Sequence, residues 1–236
     1  MSKILVTGGA GFIGSAVIRH LQQFDNEIFV IDNLSFGDRQ FIQVPDSNFF
    51  KEDILNRDQM LKIISTIKPD MIIHLAAVHF IPYCNEHPYE SSNINIRGTM
   101  HILEAARKAG VSKIFFASTA AVYPIYDEAV TENHTVGPLD IYGLSKLTGE
   151  HLCNEFHLMT EIPTVVCRFF NAFGPNETNP HLAVFTGDFI TGLHDPLARC
   201  INQLGRLKAD HGVVACNGNH EIFGGCEEKA KVLSAR

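Results

Sequence analysis

A glycine-rich turn stands almost at the start of the chain, between a short apolar segment and an amphipathic one. The apolar run at 4–7 predicts a strand, and residues 12–24 repeat apolar side chains at helical spacing. Between them, Gly8, Gly11 and Gly14 follow the spacing G-x-x-G-x-x-G. Glycine lets the chain turn sharply and pack closely, and the first amides of the following helix can bind a phosphate. The sequence therefore predicts a strand–turn–helix unit that holds the pyrophosphate of a dinucleotide.

The same alternation of apolar strands and amphipathic helices continues along the chain. Further strands are predicted at 28–32, 49–51, 71–75, 113–118 and 164–169, and helices at 58–67, 90–109 and 142–158. Parallel strands joined by helices form a sheet that is covered on both faces. We therefore predict an α/β fold with a doubly wound, Rossmann-like parallel sheet and helices on both faces.

The pattern changes after about residue 180. Two more strands are predicted at 182–186 and 213–216, with a helix near 195–208 between them. This order predicts a short C-terminal βαβ-like fragment. The chain is accordingly divided into a nucleotide-binding domain at 1–181 and a separate segment at 182–236.

Composition narrows the range of partners and locations. The 236 residues are 45% hydrophobic and carry a net charge of -7 without a basic run, which disfavours nucleic acid or an anionic membrane as a partner. The six cysteines form no C-x-x-C pair, as expected of reduced thiols. No signal peptide or membrane-spanning run is recognised. We therefore expect a cytoplasmic protein.

Asp32 ends the second predicted strand, 24 positions after Gly8. An acidic side chain there can accept hydrogen bonds from the adenosine ribose and would repel a 2′-phosphate, which favours NAD over NADP. The alternative is a solvated aspartate at a strand end. Asp53 and Ile54, after the third strand, are candidate adenine contacts. The cofactor-binding residues predicted from these positions are Gly8, Gly11, Phe12, Ile13, Gly14, Asp32, Asn33, Asp53 and Ile54.

Tyr142 and Lys146 are four residues apart on a predicted helix, so their side chains lie on one face. A phenol with a pKa of about 10 is a poor base at neutral pH. A nearby ammonium group and an oxidised nicotinamide both favour the phenolate, which can then accept a proton from a substrate hydroxyl. Lys146 can also hydrogen-bond the nicotinamide ribose. The alternative is a surface tyrosine and lysine without a catalytic role.

Seven motifs occur in order along residues 1–181. They are the glycine turn 8–14, Asp32, His74-Leu75-Ala76-Ala77, Asn95 with Gly98-Thr99, Ser118-Thr119-Ala120-Ala121-Val122-Tyr123, Tyr142 to Lys146, and Arg168-Phe169-Phe170-Asn171. Together they resemble the extended short-chain dehydrogenase/reductase family, specifically its NAD-dependent nucleotide-sugar epimerases and dehydratases of the UDP-glucose 4-epimerase type. The resemblance implies NAD as the cofactor and a nucleotide sugar as the substrate.

The resemblance also implies roles by position. Thr119 takes the place of the family's hydroxyl-bearing catalytic residue and would hydrogen-bond the reacting sugar oxygen beside Tyr142. The cofactor would be lined by Leu75, Ala76 and Ala77 and supported by Asn95, while Asn171 would contact the nucleotide sugar. Two alternatives stay open: Asn95 can be a satisfied helix asparagine, and Asn171 can be a turn residue.

The residues after Thr119 distinguish two reactions of the family. Its 4,6-dehydratases carry an acidic residue directly after the catalytic threonine, for the elimination step, whereas Ala120 and Ala121 follow here. The resemblance therefore implies epimerisation, in which Tyr142 takes the 4-hydroxyl proton, NAD⁺ takes a hydride, and the hydride returns to the other face of the rotated keto-sugar. By analogy with relatives, the helices at 90–109 and 142–158 would form a homodimer.

Residues 182–236 resemble part of a calcineurin-like metallophosphoesterase. One predicted strand runs into Gly187-Asp188 and the next into Gly218-Asn219-His220-Glu221. In that family the Asp bridges two metals, the Asn ligates one, and the His helps to protonate the leaving group. The alternative is that Asp188 and Asn219 are turn formers. Because a two-metal centre needs more ligands than Asp188, Asn219 and His220, we expect an incomplete site that holds no metal.

Three functions follow from these patterns. The leading one is NAD-dependent epimerisation of a UDP-sugar by a chain truncated relative to the family. The second is a catalytically inactive NAD-binding module or hybrid chain, because the substrate domain of the family is not recognised in 182–236. The third is metal-dependent hydrolysis of a phosphoester by the C-terminal segment.

Overall fold

The computed structural model describes residues 1–126, 129–170, 172, 183–185 and 213–215 of the chain. The chain divides into two compact units, Met1–Ala172 and Phe173–Arg236. Every residue assigned to the cofactor and to catalysis from the sequence lies in the described part of the first unit, whereas Asn171, the candidate substrate contact, lies outside the described residues.

The first unit is built on a six-stranded parallel sheet. Its strands are β1 (Ser2–Thr7), β2 (Asn26–Ile31), β3 (Phe49–Phe50), β4 (Met71–His74), β5 (Lys113–Thr119) and β6 (Thr164–Phe169). Their order across the sheet is β3-β2-β1-β4-β5-β6, and each neighbouring pair is parallel. The chain reverses its direction of travel across the sheet between β1 and β4, which is where doubly wound sheets bind ligands. The predicted fold class is confirmed.

Helices cover both faces of this sheet. They are α1 (Phe12–Leu21), α2 (Arg57–Ile67), α3 (Ile81–Glu86), α4 (Pro88–Ser92), α5 (Gly98–Ala109) and α6 (Ile141–Thr160). Ile64, Ile102 and Phe156, from α2, α5 and α6, belong to one buried cluster. Ile18 of α1 belongs to a second cluster, with side chains of β1 and β2. Successive strand residues alternate between these clusters, as in a sheet buried on both sides.

Two features of the helices differ from the prediction. The short helix α3 was not predicted, and α4 overlaps only the start of the helix predicted at 90–109; each has a proline in its first turn and is too short to show a periodic apolar face. Helix α1 ends at Leu21, three residues before its predicted end at 24. The side-chain amide of Asn26 donates to the carbonyl of Leu21 at 3.0 Å and so satisfies the end of the helix.

The described part of the second unit is a pair of parallel strands, β7 (Ala183–Phe185) and β8 (Val213–Ala215). They correspond to the two strands predicted for the C-terminal fragment, whose predicted helix near 195–208 lies outside the described residues. Within the described ranges, no helix combines the length and apolar character that a bilayer crossing requires.

Candidate active site

The glycine turn closes onto the loop that follows β4. Gly8 has a φ of +70°, in the left-handed region, and a Cβ on it would lie 2.7 Å from the amide nitrogen of Ala76. A Cβ on Gly14 would collide with the carbonyl oxygen of Gly8. Both positions therefore require glycine. Helix α1 begins at Phe12, after Gly11, with no acidic residue in its first turn, so its first amides are available to an anion.

Asp32 follows β2 directly, and the residue is only 8% exposed. One carboxylate oxygen accepts from the Ala10 amide at 2.9 Å and the other from the Leu34 amide at 2.8 Å. Burial raises the pKa of Asp32, and these two hydrogen bonds oppose the increase. Asp32 is thus not a solvated strand-end residue: it ties the glycine turn to the loop after β2. Each oxygen keeps acceptor capacity for a ribose hydroxyl.

Asn33 and Asp53 are held together at the ends of β2 and β3. The side-chain amide of Asn33 donates to one oxygen of Asp53 at 2.9 Å, and the other oxygen accepts from the Leu55 amide at 2.8 Å. Ile54 is 5% exposed and packs in the hydrophobic core. The structure therefore brings Asn33 and Asp53 together beyond β2 and β3, whereas an adenine contact by Ile54 would involve its backbone.

The loop at 75–77, predicted to line the cofactor, lies against β1. Its first two amides donate to the carbonyl and hydroxyl oxygens of Thr7, at 3.1 and 3.4 Å. Sequence reasoning assigned no role to His74, whose two ring nitrogens hydrogen-bond the hydroxyls of Thr7 and Thr99 at 2.6 and 3.0 Å. Burial lowers the pKa of His74 to about 3, so this ring stays neutral and orients the ends of β1 and β4.

Asn95 lies in a π-helical turn, Asn93–Arg97, and is 2% exposed. Its carbonyl oxygen accepts from the Val78 amide at 2.8 Å, and its amide nitrogen donates to the Val78 carbonyl and the Ser145 hydroxyl, both at 2.9 Å. Ser145, which sequence reasoning missed, donates in turn to the carbonyl of Tyr142 at 2.7 Å. Both amide hydrogens of Asn95 are used inside the protein. Asn95 therefore holds the chain at Val78 against α6 and does not donate to a ligand.

Thr119 and Tyr142 meet at the carboxyl end of β5. Thr119 is the last residue of β5, and its hydroxyl accepts from the Ala121 amide at 3.2 Å and lies near enough to Tyr142 to lower the pKa of the phenol. Tyr142 lies in the first turn of α6, which begins after Asp140; the Asp140 carboxylate accepts from the Gly143 amide at 2.7 Å. The structure therefore brings the two predicted catalytic hydroxyls together.

Lys146 is buried one turn further along α6, with 3% of its surface exposed. Its ammonium donates to the carbonyl of Ala117 at 2.7 Å and lies 4.8 Å from the centre of the Phe116 ring. Burial lowers the pKa of Lys146 to about 8 and raises that of Tyr142 to about 12. The expected stabilisation of the Tyr142 phenolate by Lys146 is therefore not present here. Burial raises the pKa of Tyr142 by more than the neighbouring Thr119 hydroxyl lowers it.

Three further polar residues behind Thr119 have no predicted role. Ser118 donates to Glu150, and Arg168 donates to both oxygens of the same carboxylate. They come from β5, α6 and β6, so no sequence spacing links them. Only the fold brings them together.

Several predicted site residues lie outside the described residues. They are Asn171, the candidate substrate contact, and Asp188, Asn219 and His220, the remnants of a phosphoesterase site. Among the residues that are described, no group of three histidine, cysteine or acidic side chains could hold a metal ion.

The sequence of the chain matches one family over most of its length. The match is to the NAD dependent epimerase/dehydratase family and covers residues 4–210. The chain belongs to this family. Membership confirms the resemblance of residues 1–181 and makes NAD the expected cofactor, since the family is NAD-dependent.

One relative is a putative UDP-glucose 4-epimerase of Methanocaldococcus jannaschii. It is 36% identical over 178 residues, and the match covers 74% of this chain and 57% of the relative. A UDP-glucose 4-epimerase of Streptomyces lividans is 35% identical over 74% of this chain and 53% of its own length. The chain thus spans little more than half the length of these two relatives.

A solved structure from this family shares the architecture. The UDP-glucose 4-epimerase of Thermus thermophilus, in complex with NAD, superimposes with a TM-score of 0.73 at 25% identity and covers 97% of this chain and 83% of its own. None of the matches described here supports the phosphoesterase resemblance of 182–236. The epimerase match itself runs to residue 210, well into that segment.

Proposed function

We propose that this chain is an NAD-dependent nucleotide-sugar epimerase that inverts C4 of a UDP-linked sugar through a 4-keto intermediate. The observation that supports this most is that Thr119 lies close enough to lower the pKa of the phenol of Tyr142, which is on the same helix as the buried Lys146. These residues lie at the same edge of the sheet as the glycine turn, because all six strands are parallel. Paired hydroxyls next to a dinucleotide site suit the removal of a proton from a sugar hydroxyl.

The residues present suit NAD as the cofactor. The amides of Phe12 and Ile13 open α1 at the position where a pyrophosphate binds, and the cradle beside Gly8 and Gly14 is one that a Cβ would fill. Asp32 has acceptor capacity for a ribose, and its charge disfavours a 2′-phosphate. When bound, NAD⁺ would supply a hydride acceptor for C4 of the sugar and, once reduced, a hydride donor.

The chain's own groups hold and move the proton. Thr119 orients the reacting C4 hydroxyl of the sugar, and the Tyr142 oxygen accepts the proton of that hydroxyl. Because burial raises the pKa of Tyr142 to about 12, forming the phenolate at neutral pH needs added positive charge nearby. An oxidised nicotinamide would supply such a charge when bound. Lys146, whose pKa of about 8 keeps it mostly protonated at pH 7, would hydrogen-bond the nicotinamide ribose.

We assign epimerisation rather than dehydration because of the turn after Thr119. Ala120 and Ala121 begin a single 3₁₀ turn, Ala120–Val122. Their methyl side chains cannot act as the acid or base that loss of water requires.

The test is to purify the full chain, release and identify any bound dinucleotide, and add UDP-glucose while following the absorbance of reduced cofactor. An epimerase retains NAD, forms some reduced cofactor and yields UDP-galactose, and Tyr142→Phe abolishes both of the last two. An inactive NAD-binding module, the alternative function, retains NAD but gives neither. Purified protein without dinucleotide and without a thermal shift in excess NAD would contradict both.

We also propose a homodimer that buries α5 and α6. Met100 on α5 is 50% exposed, and an exposed apolar side chain on a helix favours a covering partner. Light scattering should give the mass of a dimer, and Met100→Glu that of a monomer. Phe24→Glu, at an equally exposed apolar position on another surface, should leave the mass unchanged.

Three smaller proposals complete this assignment. Cys84, Cys153 and Cys167 are unpaired thiols, which favours the cytoplasm as the location and can be checked by fractionation. The domain boundary predicted from the sequence near residue 181 would give a proteolysis-resistant fragment that ends there. The phosphoesterase resemblance predicts Mn²⁺-stimulated hydrolysis of nitrophenyl phosphate that Asp188→Ala abolishes, and we expect no such activity from an incomplete set of ligands.

A further inference from the structure

A nearly buried ion pair lies behind the segment that carries Thr119. Arg168 on β6 donates to the two carboxylate oxygens of Glu150 on α6, at 2.9 and 2.7 Å. The two side chains are 21% and 10% exposed. A two-point contact of this kind fixes both the distance and the orientation of its partners.

This ion pair contacts both ends of one short stretch of chain, residues 118–123, here called the catalytic segment. At its start, the hydroxyl of Ser118 donates to Glu150. At its end, Arg168 donates to the phenol of Tyr123 at 2.6 Å and lies 4.9 Å from the centre of its ring. Thr119 is the second residue of this segment, so its backbone lies between two points that the same ion pair holds.

Helix α6 packs tightly against the catalytic segment. A Cβ on Gly143 would collide with the carbonyl oxygen of Ala121, and a Cβ on Gly149 would collide with the ring of Phe116. Glu150 follows Lys146 by one turn of the same helix. The ion pair therefore connects the helix that carries Tyr142 to the segment that carries Thr119.

We propose that Arg168 and Glu150 are positioning residues that hold the Thr119 hydroxyl in place beside Tyr142. The catalytic meaning of this role rests on the function proposed above, in which those two hydroxyls hold the reacting oxygen. A purely structural ion pair would hold β6 against α6 without any effect on the catalytic segment. The two roles differ in whether the surroundings of Tyr142 change when the ion pair is broken.

The experiment uses the full chain labelled with fluorotyrosine, without cofactor or substrate. The chain has five tyrosines, so the Tyr142 and Tyr123 fluorine signals can be assigned from their phenylalanine variants. Arg168→Leu is expected to shift or broaden the Tyr142 signal. Arg57→Leu is the matched control: it removes another two-point contact, to Glu104 at 2.7 and 2.5 Å, and should leave that signal in place.

A Tyr142 signal unchanged in folded Arg168→Leu would overturn the proposal, even if the Tyr123 signal moved. Should Arg168→Leu fail to fold, Ser118→Ala decides by the same criterion, because it removes only the hydroxyl that Glu150 holds. Arg168→Lys should move the Tyr142 signal less than leucine does, since one ammonium can keep the charge opposite Glu150 but cannot reproduce the guanidinium's contacts with both Glu150 and Tyr123.

Kinetics then measure the consequence for catalysis. Since a misplacement of about 1 Å costs about a hundredfold, Arg168→Leu should lower kcat by about 30- to 100-fold while KM for the nucleotide sugar changes by less than about threefold. A rise in KM at constant kcat would contradict a positioning role. If the wild type catalyses no epimerisation, the proposed function fails, and the fluorine spectra still decide whether the ion pair positions the catalytic segment.

Discussion

The cofactor side of the site, around Gly8 and Asp32, and its catalytic side, around Tyr142 and Lys146, are built from different parts of the chain. The first consists mainly of backbone groups, held by a left-handed glycine and by an aspartate that accepts two amides. The second consists of side chains taken out of water, among them an ammonium group on a residue that is 3% exposed. Backbone amides bind an anion at little cost to the fold, whereas a buried charge opposes folding.

This difference predicts that variants on the two sides fail in different ways. Changes in the glycine turn should reduce cofactor binding and the stability of the fold together. Changes on the catalytic side should reduce the rate while leaving the cofactor bound, and one of them should stabilise the protein.

The largest effect is expected from Tyr142→Phe, which removes only the phenolic oxygen. Loss of a general base costs about 10²- to 10⁴-fold in rate, so we expect kcat for epimerisation to fall by about a thousandfold while NAD content stays at the wild-type level. Rapid-quench assays with UDP-glucose and release of bound dinucleotide measure the two quantities. Substantial residual epimerisation would mean that another group removes the proton.

On the cofactor side, Gly8→Ala should lower NAD affinity by about a hundredfold, equivalent to about 2.7 kcal/mol. The new Cβ would meet the Ala76 amide nitrogen at 2.7 Å and displace the loop at 75–77. Gly110→Ala is a matched control, because Gly110 has the same φ of +70° but has no atoms within 4 Å of an added Cβ. It should cost about 1 kcal/mol of stability without changing NAD affinity, as isothermal titration and thermal unfolding can show.

A smaller effect is expected from Asp32→Asn, which removes the negative charge and one of the two amide acceptors. The preference for NAD over NADP should fall by about tenfold, or about 1.4 kcal/mol, because the repulsion of a 2′-phosphate is lost. Asp70→Asn is the control: Asp70 also accepts a backbone amide, that of Lys3 at 2.8 Å, but lies at the opposite end of β1. If wild type and Asp32→Asn preferred NAD over NADP to the same degree, the role of Asp32 would be limited to holding the glycine turn against the loop after β2.

The same contrast explains what could be predicted from the sequence. The turn 8–14, the alternation of parallel strands with helices and the pairing of Tyr142 with Lys146 were predicted because glycine sterics, strand–helix alternation and helical spacing are local properties. The contacts of Asn95 and the group formed by Glu150 and Arg168 were not, since they join elements distant in sequence. The raised pKa of Tyr142 was missed for the same reason: it depends on burial, which spacing does not reveal.

The last prediction concerns Lys146, where catalysis and stability oppose each other. Lys146→Met keeps the length of the side chain but removes the buried charge, so it should abolish the proposed epimerisation and yet raise the free energy of unfolding at pH 7 by on the order of 1 kcal/mol. The pKa of Lys146 is about 8 in the folded chain, against an ordinary value of 10.5. Below pH 8 both states hold the proton, and the advantage of the variant is constant and largest.

Between pH 8 and 10.5 unfolding takes up a proton that the folded chain has lost, so the wild type gains stability with rising pH and the advantage of Lys146→Met shrinks.

Urea unfolding of both proteins across this range measures the effect, with Lys62→Met as the control for an exposed lysine. The control should give a difference that does not vary with pH in this way. A variant that is less stable than the wild type at pH 7 would show that the hydrogen bond from Lys146 to the Ala117 carbonyl outweighs the cost of burying the ammonium. The catalytic side would then be built for stability as well, and the contrast between the two sides of the site would reduce to the glycine turn.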